Sequence, residues 1–389
     1  MTEDFFQRGI VEIIDEKSFK EKLKSRKLRI KYGVDPTRPD IHLGHTVQLR
    51  KLKQLQDEGH KIIFLIGDYT TKIGDPSGRN NTRPVLSDLE IKKNAKTYFQ
   101  QVGKILNVKK TEVRYNSEWF SKMKFNDILQ LTGKFTVAQI LERDDFTKRL
   151  NAHNDIGLHE LLYPLMQAYD SVVLKADVEF GGNDQKFNML AGRELQKKMG
   201  QIPQDVFITK LLVGLDGKIK MSKSSDNYVA LTEDANSMFG KIMSIPDDVM
   251  LEYFELLTDL SEKEITGIKN KLESKENPRD IKLILAEKIV SMYHSESEAK
   301  KAKEEFINVF AKKELPADIP EVKIAEGNYE LPLLLINLSA VDSNSEARRL
   351  IEQGGVKIDE AKITEPKTVI GVRKGMIVQA GKRKFFKIK

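Results

Sequence analysis

The sequence predicts an α/β protein: a parallel sheet wrapped by helices, then a helical stretch, then a small basic module. Three observations predict it. An apolar strand from Leu28 to Val34, a helical pattern from Thr46 to Glu58 and an apolar run from Lys61 to Ile66 follow one another closely. Strand, helix and strand within about 35 residues make a βαβ unit, with parallel strands and a right-handed crossover. Glycines and acids recur where strands hand over to helices, at Gly67-Asp68 and at Gly181-Gly182-Asn183-Asp184. In open α/β sheets the ligand crevice lies at such carboxyl ends. Finally, the net charge of +7 is concentrated at one end, residues 331–389 holding 12 Lys and Arg against 6 Asp and Glu.

Each element follows from its pattern. Residues 1–27 read as an amphipathic helical lead-in, with Phe5, Phe6, Ile10, Ile13 and Ile14 apolar. In the helix from Thr46 to Glu58, Leu49, Leu52 and Leu55 share a face and Gly59 is the stop. The unbroken run Lys61–Ile66 fits a strand buried on both faces. Ser87–Leu106, Asn126–Leu150 and His159–Tyr169 read as helices. The second is apolar enough (Leu129, Leu131, Phe135, Val137, Ile140, Leu141) to be expected against a partner subunit. Val172–Leu174 and Val178–Phe180 are strand-like, and a helix runs from the glycine turn to Lys198. Leu211–Leu215, Asp216-Gly217 and Lys218–Met221 read as a hairpin. Glu233–Lys312 is helical, and Lys313–Glu330 is an acidic, Pro-containing linker.

Composition excludes several classes. The 389 residues suffice for two or three domains. No window approaches the ~18 apolar residues of a membrane span. The acidic Met1-Thr2-Glu3-Asp4 lacks the apolar core of a secretory signal. There is no cysteine, hence no disulfide, thiolate metal site or Cys nucleophile, and a reducing cytoplasm is the natural compartment. A basic end module suggests nucleic acid, although a solvated face has the same composition.

Two loops carry chemistry. After the first strand, Asp35-Pro36-Thr37 leads to His42-Leu43-Gly44-His45 at a helix start. A helix N-terminus offers unpaired N–H groups and a positive dipole end, and imidazoles donate to phosphate oxygens. Glycine lets a flat group lie against the backbone. This reads as a triphosphate site. Alone, it also fits a polar turn with two exposed histidines, or a metal pair for which no third ligand is near. About 175 residues later, Lys220-Met221-Ser222-Lys223-Ser224 places two lysines three apart in a small-residue loop. Mobile ammonium groups can follow charge developing on a leaving pyrophosphate.

Together the two loops resemble the paired signatures of class I aminoacyl-tRNA synthetases, Rossmann-like enzymes that activate an amino acid with ATP. Gly74-Asp75-Pro76-Ser77-Gly78, Tyr163-Pro164-Leu165-Met166-Gln167-Ala168-Tyr169-Asp170 and Gly181 to Asn188 resemble the tyrosyl blocks of that class, in order. The tail, notably Ser343 to Ile351, resembles the S-four RNA-binding module.

The resemblance implies roles. Thr37, His42 and His45 hold phosphates, and Lys220 and Lys223 close over them. Asp35, Gly44, Gly182, Asp184 and Lys223 bind ATP, Asp184 at the ribose, and Arg79 lies near pyrophosphate. Asp75, Tyr163 and Gln167 hold the tyrosine ammonium with Gln185 nearby, and Asp170 accepts from the phenol. Arg348, Arg349 and Lys357 meet tRNA phosphates. The implied division is 1–225 catalytic with an insert at about 115–160, 226–325 helical anticodon-binding and linker, and 326–389 S-four-type. The implied substrates are L-tyrosine, tRNA(Tyr) and ATP with Mg²⁺; no resident cofactor or metal, and a cytoplasmic homodimer away from membranes, are expected.

One departure stands out. A bacterial branch of that family also holds the phenol with a tyrosine two residues before the glycine matched by Gly33. Here that place is Lys31, and Tyr32 comes one residue later. A one-residue shift on a strand turns a side chain to the other face. The Lys-Met-Ser-Lys-Ser form and the run from Asn183 to Asn188 resemble a second bacterial branch. Competing readings are a tryptophanyl enzyme, a small-molecule nucleotidyltransferase, and an RNA-binding factor built on an inactive synthetase.

Overall fold

The lead-in is not a single helix. After α1 (Glu3–Gln7), the chain forms a strand, β1 (Ile10–Ile14), and only then α2 (Glu16–Ser25). The β-branched run Ile10, Val11, Ile13, Ile14 prefers extended backbone and an edge to pair with. Asp15, left-handed at φ 68°, makes the turn and caps α2 by accepting from the Ser18 N–H.

The computed structural model describes residues 3–76, 86–311, 319–381 and 384–389. It divides into two compact units, Met1–Ser295 and Glu296–Lys389. In the first, β2 (Arg29–Val34), α3 (Leu43–Asp57) and β3 (Lys61–Ile66) form the expected βαβ unit. α4 (Asp88–Val102) starts at a Ser87–Glu90 capping box. β4 (Glu112–Tyr115) and α5 (Ser117–Phe120) follow. The apolar stretch read as one helix is three: α6 (Phe125–Thr132), α7 (Val137–Leu141) and α8 (Asp144–Asn151). Gly133 ends the first, and Thr136 with Gln139 caps the second, so local capping overrides the long apolar period. α9 (Tyr163–Leu174) absorbs Val172–Leu174, expected as strand, because these residues continue its buried face to a left-handed Lys175. β5 (Val178–Gly182), α10 (Lys186–Lys198) and β6 (Asp205–Thr209) complete the sheet. The expected hairpin at 211–221 reduces to one bridge, Val213 to Lys220, around Asp216-Gly217. Then come α11 (Ala235–Met243), α12 (Met250–Leu257), α13 (Glu262–Glu273) and α14 (Pro278–Tyr293).

The strand order is β1-β6-β5-β2-β3-β4, with only β1 antiparallel among the described strands of this sheet. The chain runs outward from β2 to β3 and β4, then returns to place β5 on the other side of β2. That reversal opens a crevice at the carboxyl ends of β2 and β5. Side chains alternate along β2: Lys31 reaches α9, and Tyr32 reaches α3 on the opposite face. Both faces are therefore covered, which is why Ile30, Ile62, Phe64, Ile66, Val178 and Phe207 are buried.

The second unit comprises α15 (Glu296–Ala311), β7 (Glu321–Val322), β8 (Gly327–Glu330), α16 (Leu331–Asn337), α17 (Asn344–Glu352), β9 (Val356–Ile358), β10 (Ala361–Ile363), β11 (Val369–Val372), β12 (Ile377–Ala380) and β13 (Lys384–Ile388). One sheet runs β10-β9-β12-β13-β7 and a second pairs β8 with β11. Leu331, Leu334, Leu335, Ala347, Ile351, Val356 and Val378 form its core. β7 and β8 lie in the stretch read as linker: partners distant in sequence supply the pairing that their own composition does not predict. No helix among the described residues is long and apolar enough to cross a membrane.

Candidate active site

The crevice is a cleft of about 820 Å³, lined by residues from the ends of β2, β3 and β5, the start of α3, α9 and the 219–225 loop. It gathers Asp35, Thr37, His42, Gly44, His45, Asp75, Tyr163, Gln167, Asp170, Gly182, Asp184, Gln185, Lys220 and Lys223. Arg79 lies outside the described residues.

His42 is the N-cap of α3 and is 7% exposed, so a turn with two exposed histidines is not what forms. The backbone donors expected to greet an anion are already taken. The Leu43 N–H donates to the Val229 carbonyl (3.0 Å), that of Gly44 to His42 Nδ1 (3.2 Å) and that of His45 to the His42 carbonyl (2.9 Å). His42's own N–H donates to His45 Nδ1 (3.3 Å). Both Nδ1 atoms accept, so a neutral ring must carry its proton on Nε2. Neutral they are: burial first, then His45, Lys223 and Lys220, holds His42 well below the usual histidine value. Burial, then Lys223, brings His45 down to about 3. The donors left at this turn are thus two imidazole Nε2–H groups. Gly44 permits this fold, since a Cβ there would meet the His42 ring at 3.0 Å. A Cβ on Gly182 would meet Leu211 at 2.5 Å and Asp184 Oδ1 at 2.8 Å, so a side chain there would have to displace the acid.

Both lysines are held by the cleft itself. Lys220 Nζ lies 2.7 Å from Asp184 Oδ2. Lys223 Nζ donates to the Tyr98 hydroxyl (2.8 Å) and lies over that ring at 4.9 Å.

Around Tyr163, acids and donors interlock. Its hydroxyl donates to Asp35 Oδ2 (2.9 Å), and Thr70 Oγ1 donates to Asp35 Oδ1 (2.8 Å). Burial, with Asp35 and Asp75 beside it, pushes the Tyr163 hydroxyl well above its ordinary value, so it remains a donor. Asp75 pairs with Arg143 (3.0 Å) and accepts from Gln185 Nε2 (2.7 Å). Deeper, Asp170 is 3% exposed. Trp119 Nε1 donates to its Oδ1 (2.9 Å) and Asn116 Nδ2 to its Oδ2 (3.4 Å). The Tyr69 N–H donates to Asn116 Oδ1 (2.8 Å), which fixes that amide with its nitrogen towards Asp170.

Sequence reasoning missed Trp119, Asn116, Tyr98, Arg143 and the buried partners of Lys31. The lone tryptophan was a signal; the others act through contacts between distant segments. Tyr32 donates to Gln48 Oε1 (2.9 Å) on the α3 face, away from Asp170. In the second unit, Arg348 and Arg349 on α17 and Lys357 on β9 are exposed.

The family model described as tRNA synthetases class I (W and Y) matches residues 23–311, and that for the SYY-like tyrosine–tRNA ligase C-terminal domain matches 312–388. Fold and cleft therefore define a class I aminoacyl-tRNA synthetase. The tyrosine–tRNA ligase of Francisella tularensis subsp. tularensis is 50% identical, over 100% of this chain and 98% of its own. That of Thermotoga maritima is 48% identical, over 98% and 96%. The chain belongs to the tyrosine–tRNA ligase family. A C-terminally truncated mitochondrial tyrosyl-tRNA synthetase from Aspergillus nidulans matches in fold with a TM-score of 0.67 at 23% identity, over 79% of this chain and 93% of that one. An L-tyrosine complex from Archaeoglobus fulgidus gives 0.62 at 22%, over 77% and 98%.

Proposed function

We propose that this cleft joins L-tyrosine to ATP, forming tyrosyl-AMP and pyrophosphate, and then passes the tyrosyl group to the 3′ end of tRNA(Tyr). The attacking carboxylate is already an anion, so the first step needs no general base. Positioning and charge stabilisation carry it. Thr37 and the Nε2–H groups of His42 and His45 receive the phosphates of ATP, which brings Mg²⁺ as its counter-ion. Asp184 takes the ribose hydroxyls, which frees Lys220 to join Lys223 over the leaving pyrophosphate. Asp35 sits on the ATP side, and Gly44 and Gly182 leave room for the nucleoside. Asp75, Tyr163 and Gln167, with Gln185, face the ammonium, and Asp170 accepts from the phenol.

The observation that carries this reading is Asp170: a buried carboxylate whose donors, Trp119 and Asn116, fix its orientation. A site built to bond a hydroxyl rejects the analogue that lacks it by ~10⁴–10⁵, tyrosyl enzymes being the standing example of that rule.

The exposed Arg348, Arg349 and Lys357 meet tRNA phosphates, which position more than they specify. The division into 1–225, with its insert, 226–325 and 326–389 assigns catalysis, anticodon binding and further RNA contact. A cytoplasmic homodimer completes the reading. Leu129, Val137 and Leu150 are 52%, 64% and 47% exposed, apolar side chains that a second copy would cover. The test is ATP–pyrophosphate exchange without tRNA, with tyrosine, tryptophan and phenylalanine. Exchange with tyrosine alone is expected; a tryptophan preference, or none with any, overturns the reading.

A further inference from the structure

A buried ion pair stands beside Asp170, and neither ATP nor tyrosine ligation accounts for it. Lys31 on β2 is fully buried. Its Nζ lies 2.9 Å from Glu179 Oε1 on β5, and donates to the Gln167 carbonyl (2.9 Å) and Ser171 Oγ (2.8 Å) on α9. An ammonium has three protons, and three acceptors surround it. Glu179 in turn accepts from Gln167 Nε2 (3.2 Å), Ser171 Oγ (3.1 Å) and Gln204 Nε2.

Burying two charges is costly, and an apolar pair of equal volume packs a core at least as well. The polar pair does two things an apolar pair cannot. Glu179 offers only acceptors, so the Gln167 amide must turn its nitrogen towards it, which leaves Oε1 on the opposite side as an acceptor. Lys31 also sets a fixed positive charge beside Asp170.

We infer that the Lys31–Glu179 pair is a positioning device for tyrosine recognition: Lys31 does not touch the phenol but keeps Asp170 an anion able to accept from it, while Glu179 aims the Gln167 carbonyl oxygen at the ammonium. This rests on the reading of Asp170 and Gln167 as tyrosine ligands.

The electrostatics agree. Asp170 is raised to about 7 with burial as the largest cause; Lys31 is the strongest influence opposing that rise, followed by Trp119 and Asn116, while Glu179 adds to it. The charged groups facing it are Lys31 from β2 and Glu179 from β5; Asn116, preceding α5, and Trp119 on α5 are neutral donors. Removing the Lys31 charge must therefore raise the pH at which Asp170 ionises, and removing the Glu179 charge must lower it. Damage to packing alone has no such sign.

The experiment measures the tyrosine KM in pyrophosphate exchange from pH 5.5 to 9 for the full-length chain and for K31M, K31R, E179Q and D170N, with the ATP KM as reference. In K31M the acid limb of the profile moves to higher pH by about one unit, so KM at pH 7 rises about fivefold while kcat stays within about threefold. In E179Q the limb moves to lower pH. K31R, which keeps the charge, restores the wild-type limb. If K31M does not fold, as judged by its melting curve, E179Q and K31R carry the test. Limbs that move the same way, or not at all, overturn the inference. So does a K31M whose loss of tyrosine relative to phenylalanine is the same at pH 5.5 and pH 9, because a loss that pH does not relieve marks direct contact with the phenol. D170N separates the two levels. It has no acid limb if Asp170 reads the phenol; a wild-type limb in D170N sinks that reading itself, whatever Lys31 does.

Discussion

The two imidazoles proposed to receive the phosphates are uncharged. Nδ1 of each accepts a backbone N–H, so Nε2–H is the donor, and burial keeps both rings neutral. This has a stability consequence. His45 titrates at about 3 in the folded protein but near 6.5 unfolded. Between those values only the unfolded chain binds the proton, so stability is lost as pH falls through 6.5 towards 3, by up to about 1.4 kcal/mol per pH unit for one histidine. H45N removes that contribution. Urea midpoints measured from pH 7 to 4.5 should fall less steeply for H45N than for the wild type; parallel slopes contradict a neutral His45. The three-residue spacing of the pair was legible in the sequence. The charge state was not, because it depends on Val229 and the lysine loop closing over the helix start from far along the chain.

Helix α9 shows what a pattern can and cannot reveal about an element. Tyr163, Gln167 and Asp170 fall at i, i+4 and i+7, one face of a helix, so their convergence was readable. Where the helix ended was not: Val172, Val173 and Leu174 suit a strand by type, but as helix Val172 packs against α10 while Val173 and Leu174 pack against β3 and α5. β4 and β6 are short, and neither the alternation of one nor the brevity of the other rises above its surroundings. On β2, alternation correctly separates Lys31 from Tyr32, but the identity of their partners comes from α9, β5 and α3. The lysine loop supplies a test at this scale. Asp184 holds Lys220 at 2.7 Å and is the proposed ribose ligand. Replacing it by Asn weakens a charged hydrogen bond, a loss of roughly 1.5–3 kcal/mol. D184N should raise the ATP KM about tenfold or more in pyrophosphate exchange and leave the tyrosine KM alone; a raised tyrosine KM with ATP unaffected assigns Asp184 to the wrong substrate.

At the scale of the whole chain, the basic C-terminal excess pointed to RNA, and the family models divide the sequence near residue 312. The structure refines where the tail can be cut. Val322, Ile324 and Tyr329 pack on its core, so removal from 331 onward would strip β7 and β8 of their partners. Deleting 312–389 should abolish tRNA charging yet keep pyrophosphate exchange within about twofold, and raised salt should weaken the intact protein's tRNA binding more than its tyrosine binding. Equal loss of charging and exchange contradicts that division of labour. The proposed selection of tyrosine rests on one buried carboxylate reading one hydroxyl. Its most direct test is the ratio of kcat/KM for tyrosine over phenylalanine in pyrophosphate exchange, for wild type and D170N. An asparagine presents one carbonyl oxygen where Trp119, Asn116 and the phenol all donate, so the ratio should fall by about 100-fold, ~2.7 kcal/mol, with the ATP KM unchanged. A ratio that survives D170N intact means that the phenol is read elsewhere.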